Sequence, residues 1–324
     1  MKHTPVRWLG ALAAAFALAQ PAVAADYPNG PIEWVIPYPA GGGTDIVGRV
    51  LADTMSKSLA QPIVVANKPG AATAIGASHT ARAKPDGYTI MSADTATLAA
   101  NPYLYRKLTY NPETDFADIG LTVRFPLILA VNPKLPVNTL DEFVAWAKQQ
   151  ADGVDYGTPG AGSPHHLATE LFKQRTGLNL MHIPYKGAAP AVQDVLSGQI
   201  PFMFIDSAGG QQHLAAGTLR GIGVASRERL ESFPNIPTLH EQGVTDFEAY
   251  AWQGVVAPKG TPDAVVQRLN QDLQAALANP AVVERFKAMG LEITPSTPAQ
   301  MSEFAAAERK KWSQVIRESN ITLD

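Results

Sequence analysis

Three consecutive glycines, residues 41–43, lie between an apolar run at residues 32–38 and a segment of helical periodicity that follows Asp45. The apolar run predicts a buried strand, so the glycines form a strand-to-helix turn. Glycine has no side chain to shield the backbone, and the first N–H groups of a helix lack partners within it. Because the helix dipole adds positive charge there, the turn favours a bound anion. The simpler interpretation is a tight turn without a ligand.

Four further strand-to-helix junctions are rich in glycine or small polar residues, at 92–97, 158–163, 185–187 and 206–210. In open α/β sheets, ligands lie at the carboxyl ends of strands, where such junctions converge. The loops 39–45, 92–97 and 158–163 contain no Arg or Lys. An anion there would be held by backbone N–H groups and hydroxyls, partly through water. No complete phosphate-binding motif is present, which favours a carboxylate over a phosphate.

The candidate binding residues lie at these junctions. They are Tyr38, Ala40, Gly41, Gly42, Gly43, Thr44, Asp45, Ala93, Thr95, Thr97, Thr158, Gly162, Ser163, His166, Tyr185 and Asp206. Three of them have a second interpretation. Tyr38 and Tyr185 either flank a ligand or close the core, and Asp206 either accepts from a ligand hydroxyl or amine or caps the next helix. Lys186 is either a binding cation or a solvated turn residue.

A metal site and a serine hydrolase are the two alternatives to simple binding. His166 and Glu170 lie four apart on one predicted helix face beside His165, but a third metal ligand is not evident, so we expect neither metal nor cofactor. Ser163 with a His and an Asp suggests a secreted hydrolase, although the Gly-x-Ser-x-Gly turn of such enzymes is absent. We expect binding without covalent catalysis, with the hydrolase as the alternative.

Composition limits the class of protein. The chain has 324 residues, of which 46% are hydrophobic and 17% charged, so two globular domains are expected. Its net charge of -3 gives no basic surplus for nucleic acid, and we predict no nucleic-acid partner. It has no cysteine, which excludes disulfides and thiolate metal sites.

The first 24 residues have the features of a secretory signal peptide. Lys2 and Arg7 supply a positive start, residues 8–19 are apolar, and residues 22–24 (AVA) form a small-residue cleavage site. The apolar run is too short to span a bilayer, and no later one reaches about 18 residues. The sequence therefore predicts a periplasmic protein that is not embedded in the membrane.

Strand and helix patterns alternate along most of the chain, which predicts an α/β fold with mainly parallel sheets. The apolar stretch 119–131, interrupted by Arg124 and Pro126, is the expected first crossing between two lobes, and residues 250–257 the expected return. We predict that lobe 1 contains residues 25–122 and 249–324, and lobe 2 residues 123–248. An aromatic stripe on the last helix, with Trp312, is expected to pack against a lobe. Ser163 is the expected N-cap of a helix over residues 165–175.

Six segments together resemble one known family closely. They are residues 39–45 (PAGGGTD), 160–168 (GAGSPHHLA), 183–187 (IPYKG), 237–243 (PTLHEQG), 252–254 (WQG) and 257–262 (APKGTP). The chain is similar to the Bug-type substrate-binding proteins of tripartite tricarboxylate transporters over essentially its whole length after residue 24.

The resemblance implies a type II-like periplasmic binding protein: two α/β lobes, a two-strand hinge and a cleft that closes on a carboxylate. In such proteins the loops equivalent to 39–45 and 92–97 often reach the ligand through water, and the loop ending at Ser163 would hold a carboxylate from the other lobe. Asp94 departs from the usual pattern by adding a negative charge. Membrane transporter subunits are the implied partners of a monomeric receptor. A receptor that feeds a membrane sensor instead remains an alternative.

Overall fold

The computed structural model describes residues 27–323. The predicted signal peptide, residues 1–24, lies outside the described range. Within that range, no helix combines the length and apolar character that a bilayer crossing requires.

Strands and helices alternate from the first strand to the last helix, so the predicted α/β class is confirmed. The strands are β1 (Ile32–Ile36), β2 (Ile63–Asn67), β3 (Thr89–Asp94), β4 (Phe116–Val131), β5 (Val154–Thr158), β6 (Leu180–Pro184), β7 (Phe202–Asp206), β8 (Arg220–Val224), β9 (Tyr250–Pro258) and β10 (Glu292–Ile293). The helices are α1 (Gly43–Leu59), α2 (Ala74–Ala81), α3 (Asn101–Leu104), α4 (Leu140–Lys148), α5 (Pro164–Thr176), α6 (Ala188–Ser197), α7 (Ser207–Ala215), α8 (Asp263–Leu277), α9 (Pro280–Ala288) and α10 (Pro298–Glu318), and a π-helical turn, Ala96–Ala100, precedes α3.

The strands follow the order β2-β1-β3-β9-β4-β7-β5-β6, and β8 and β10 also pair with β4. The outer pairs, β1 with β2 and β3, and β5 with β6 and β7, are parallel as predicted. The prediction of mainly parallel sheets is wrong at the centre, where β9 pairs antiparallel with β3 and β4, and β4 antiparallel with β7. The reason is that β4 carries the chain from the first set of strands to the second, and β9 carries it back to the first. These two strands therefore run in opposite directions, side by side.

The strand β4 joins the two sets of strands without a break. Its residues 116–126 pair with β9, and its residues 127–131 pair with β7 and β8. Pro126, which interrupts the apolar pattern in the sequence, lies where the partner strand changes. Proline has no backbone N–H to donate to a neighbouring strand. This is tolerated at residue 126 because the hydrogen-bonding partner of β4 changes there from β9 to β7. The predicted lobe boundaries near residues 123 and 249 stay a prediction.

The helix α1 is fixed on the sheet by its buried stripe of Val47, Leu51, Met55 and Leu59. Gly48 allows the helix to approach β1 closely, because a Cβ there would lie 2.5 Å from Ile36 Cδ1. This packing determines where the first turn of α1, and the glycine turn before it, point.

The last helix, α10, packs as predicted. Trp312 is fully buried, and its indole N–H donates to Glu308 Oε2 at 2.8 Å. The helix also contacts α5, where Gln174 Nε2 donates to the Val315 carbonyl at 3.3 Å. The C-terminal helix therefore contacts both the strand β4 and the helix α5.

Candidate functional site

A cavity of about 480 Å³ lies at the carboxyl ends of β1, β3, β5 and β7. Its lining residues come from both sets of strands. They are Tyr38, Gly43, Thr44, Ala72, Asp94, Ala96, Asn101, Phe125, Pro159, Gly160, Ala161, Gly162, Ser163, Pro164, His165, Gly187, Asp206, Ala251, Trp252, Gln253 and Leu323. Three other cavities are larger. Those of about 710 and 690 Å³ contain none of the predicted binding residues, and one of about 530 Å³ shares Gly43 and Asp206 with this cavity.

Of the sixteen residues predicted from sequence, the structure brings six together around this cavity: Tyr38, Gly43, Thr44, Gly162, Ser163 and Asp206. The other ten do not line it. They are Ala40, Gly41, Gly42, Asp45, Ala93, Thr95, Thr97, Thr158, His166 and Tyr185, and Lys186 is exposed outside it. Most of these ten hold in place the loops and strands that carry the lining residues.

Asp45 holds the glycine turn in place. Its Oδ2 accepts from the Gly41 N–H and from Arg49 Nε, both at 2.9 Å, and its Oδ1 accepts from Asn67 Nδ2 at 2.8 Å. Burial alone would raise the pKa of Asp45, but these donors outweigh it and lower the pKa to about 2. The carboxylate is therefore occupied by donors from the glycine turn, α1 and β2. The N-cap of α1, Gly42, has no capping side chain, so the first N–H groups of α1 keep their capacity for an anion.

Asp94 ends β3 and lines the cavity, with 8% of its surface exposed. The Tyr38 hydroxyl donates to its Oδ2, and the Thr97 N–H and hydroxyl donate to its Oδ1 at 2.8 and 2.7 Å. Burial raises the pKa of Asp94, and the donors only partly offset this effect. Thr97 thus positions Asp94 and does not reach the cavity itself.

Two other residues near the end of β3 are structural. Ala93 is fully buried in the strand. The Thr95 hydroxyl oxygen accepts from the Trp252 N–H at 3.1 Å, which ties the π-helical turn to β9.

On the opposite side, the start of α5 forms the wall of the cavity. Ser163 is the N-cap, as predicted, and its Oγ accepts from the His166 N–H at 3.3 Å. Because the oxygen accepts in this contact, the hydroxyl proton remains for a second partner. The Gly162 N–H donates to His166 Nδ1 at 3.0 Å, so His166 supports the loop from within.

Burial, together with the nearby His182, lowers the pKa of His166 to about 3. The ring is therefore neutral near pH 7, as its role as acceptor from Gly162 requires.

Thr158 closes the same loop by donating to the Gly160 carbonyl at 3.1 Å. Tyr185 donates to Asp194 Oδ2 at 2.6 Å and packs in the core of the second set of strands.

For Asp206, at the end of β7, the capping interpretation is confirmed, and contact with a ligand stays a prediction. It caps α7 by accepting from the Gly209 N–H at 2.7 Å, and it also lines the cavity. Its Oδ2 lies 3.4 Å from His165 Nε2. Burial would raise the pKa of Asp206, but His165 and the Gly209 amide outweigh burial and lower it. His165 Nδ1 is buried and has no hydrogen-bond partner among residues 27–323, so His165 is not bonded to Ser163 Oγ.

Sequence reasoning missed several lining residues, above all Asn101 and Gln253. Asn101 Nδ2 donates to the Ala72 carbonyl at 2.6 Å, and Gln253 Nε2 donates to Thr44 Oγ1 at 2.7 Å. Their oxygens, Oδ1 and Oε1, are buried without partners among the described residues. Gln253 had a detectable signal, because it is a polar residue inside the apolar strand 250–257. Asn101 had none, since it lies in a segment without clear periodicity.

Comparisons with known proteins identify the family of this chain. The family profile described as "Tripartite tricarboxylate transporter family receptor" matches residues 47–321. The protein BugT of Bordetella pertussis is 38% identical over 316 residues, which cover 97% of each chain.

Two solved structures from Rhodopseudomonas palustris are also similar. Rpa4515 with adipate is 32% identical, has a TM-score of 0.82 and matches over 92% of this chain and 99% of its own. MatC with bound malate is 29% identical, has a TM-score of 0.78 and matches over 90% and 100%. The predicted two-lobed periplasmic-binding-protein fold and the resemblance to Bug proteins are confirmed, and the chain belongs to the tripartite tricarboxylate transporter family of receptors.

Proposed function

We propose that this receptor binds a small organic carboxylate in the cavity between its lobes. The observation that supports this most directly is the meeting of two helix starts, those of α1 and α5, at one cavity lined from both lobes. Helix starts present unpaired N–H groups and the positive end of the dipole, which suits an anion. The adipate and malate bound by two relatives are carboxylates of suitable size.

This proposal keeps the six predicted residues that line the cavity and adds Asp94, Asn101 and Gln253 as ligand-binding residues. Gly43 and Thr44 at the start of α1 and Gly162 and Ser163 at the start of α5 receive the carboxylate. Tyr38, Asp94, Asn101, Asp206 and Gln253 complete the polar lining.

Closure of the two lobes around the ligand is the proposed working step. A ligand that contacts both lobes binds the closed form better, and it shifts the equilibrium by that difference in affinity. The closed form then presents a surface to membrane subunits of a tripartite transporter. We place the receptor in the periplasm, as a monomer, after removal of residues 1–24.

The cavity works, in this proposal, without covalent chemistry. His165 contacts Asp206 through Nε2 and lacks a bond to the Ser163 hydroxyl, so a general base is not aligned on Ser163. A test with p-nitrophenyl acetate separates the two functions. Turnover that disappears in Ser163→Ala would favour the hydrolase, whereas equal background rates in both proteins support a receptor.

The experiment that tests the binding function is a thermal-shift screen of carboxylates, each paired with its neutral carboxamide. We expect at least one carboxylate to raise the melting temperature by mass action, and its carboxamide to have little effect. Small-angle scattering with that compound should then show a smaller radius of gyration. Stabilisation by carboxamides and carboxylates alike would contradict anion recognition, and an unchanged radius would contradict closure.

A further inference from the structure

We propose that the ligand of this cavity has a protonated nitrogen in addition to its carboxylate, that Asn101 accepts one of its N–H groups and that the charge of Asp94 neutralises it. This inference rests on the proposed function, because it names the ligand class for the same cavity. It follows from the sign of the charges around the cavity and from which polar atoms are left without partners.

The charged lining of the cavity is acidic. Among the lining residues within 27–323, the acids are Asp94 and Asp206, and none is a Lys or an Arg. Asp206 faces His165 Nε2 at 3.4 Å. The groups that donate to Asp94, the Tyr38 hydroxyl, Thr97 and the Ala96 N–H, are all neutral. A ligand with a second carboxylate would therefore face Asp94 without a compensating cation, whereas an ammonium would neutralise it.

The Asp94 carboxylate is held as an acceptor. Its oxygens receive hydrogen bonds from groups that need an acceptor, including the Thr97 N–H, which can only donate. A carboxylate offers about four acceptor positions, and the donors named above fill them, so Asp94 attracts a ligand cation through its charge. Because Asp94 ends a strand whose carboxyl end opens into the cavity, it is placed to meet a ligand.

A second, independent observation is the unpartnered oxygen of Asn101. Asn101 Nδ2 donates to the Ala72 carbonyl, which can only accept, so the orientation of the amide is fixed and Oδ1 is an acceptor. The residue is 1% exposed, and Oδ1 has no partner among the described residues. Gln253, 4% exposed, has an equally unpartnered Oε1. Buried acceptors without partners are costly, so a ligand that supplies donors is favoured here, and a carboxylate supplies none.

The two sides of the cavity thus differ in polarity and give the ligand an orientation. Donors dominate at the start of α5, where the Ser163 hydroxyl and the backbone N–H groups lie. Acceptors dominate at the end of β3 and in α3, where Asp94 and Asn101 lie. The ligand carboxylate therefore lies at the start of α5, and the protonated nitrogen lies at the end of β3, near Asp94 and Asn101.

Calorimetric titration of matched pairs that differ by one amino group tests this inference. The pairs are succinate and aspartate, glutarate and glutamate, and butanoate and 4-aminobutanoate. We expect the amino-bearing member of at least one pair to bind at least about tenfold more tightly, as for a hydrogen bond between charged groups. Asp94→Asn should remove this preference by weakening the binding of the amino-bearing member, because the charge that attracts the ammonium is lost. Asp53→Asn, which removes the same charge from the exposed face of α1, should keep the preference.

Four results overturn the inference. One is tighter binding of the amino-free member in every pair that binds, and another is a preference for the amino group that Asp94→Asn retains. If Asp94→Asn does not fold, the inference is still tested by whether the unaltered protein binds the amino-bearing member of a pair more tightly. Binding of amino-free carboxylates alone would overturn this inference but keep the proposed function. Failure of all six compounds and of the wider carboxylate screen would overturn both.

Discussion

The imidazole rings of His166 and His182 stack with their centroids 3.7 Å apart. The pair supports the loop of residues 159–163, because His166 Nδ1 accepts from the Gly162 N–H and His182 Nε2 lies 2.6 Å from the Thr158 hydroxyl. Burial lowers the pKa of His166 to about 3 and that of His182 to about 4. Both rings are therefore neutral in the folded protein at pH 5, where the unfolded chain would protonate them.

This difference predicts an acid-sensitive stability. A histidine whose folded pKa lies below its unfolded value of about 6.5 destabilises the fold as pH drops from 6.5 towards the folded pKa. The free energy of unfolding should fall by up to about 1.4 kcal/mol per pH unit for each of the two rings. Urea unfolding between pH 7.5 and 5 measures the slope. His182→Gln should flatten it, and the exposed His240→Gln should not. Equal slopes in all three proteins would contradict the assignment.

A side chain at position 43 should block the cavity. A Cβ on Gly43 would lie 3.1 Å from Phe125 Cε1, so Gly43→Val fills the space in front of α1. We expect carboxylate affinity to fall at least about tenfold, because the ligand must displace a packed side chain. Gly42→Ala is the matched control, since its Cβ would meet only the Pro39 carbonyl at 3.9 Å and its N–H remains. Unchanged affinity in Gly43→Val, measured by calorimetry, would place the ligand elsewhere.

Ser163 has a capping role and a proposed ligand-binding role that substitution can separate. Ser163→Ala removes the N-cap of α5 and the hydroxyl that is proposed to donate to the ligand, so we expect a loss of about 1 kcal/mol in stability and of about 1.5 to 3 kcal/mol in binding. Ser163→Asp keeps an N-cap acceptor but adds negative charge. It should restore the stability and weaken carboxylate binding further. Thermal unfolding and calorimetry on the three proteins report the two effects, and recovered binding in Ser163→Asp would refute the ligand role.

Asp45 should matter for stability far more than its exposed neighbour Asp53 does. Asp45→Asn weakens three hydrogen bonds to a buried carboxylate, so we expect a loss of about 1 to 3 kcal/mol in the free energy of unfolding. Asp53 also pairs with a cation one turn away, Lys57, but the pair is exposed, and Asp53→Asn should cost less than about 0.5 kcal/mol. Urea unfolding at pH 7 distinguishes them. Equal losses would show that Asp45 does not organise the turn.

The sequence predicted the parts of the site that depend on local chemistry. The glycine turn before α1 and the Ser163 cap of α5 are visible because glycine and N-cap residues act within a few positions along the chain. The cap is present as predicted, and both junctions meet at one cavity. The alternation of strand and helix was visible for the same reason.

The remainder depends on contacts between distant residues. The Thr95 hydroxyl meets the backbone of Trp252, which is 157 positions away. Leu323 reaches the cavity because its N–H donates to the Leu104 carbonyl at 2.9 Å. No local pattern shows such pairings. The continuous strand through Pro126 was hidden likewise, since only the change of partner strand makes the proline tolerable.

The most direct test of the account is a crystal structure of the protein with the carboxylate that stabilises it most in the thermal-shift screen. The account predicts that the carboxylate oxygens lie within about 3.2 Å of donors at the start of α5, including the Ser163 hydroxyl, with contacts to the start of α1 across the cavity. A ligand bound outside the cavity, or one whose carboxylate contacts neither helix start, would contradict it.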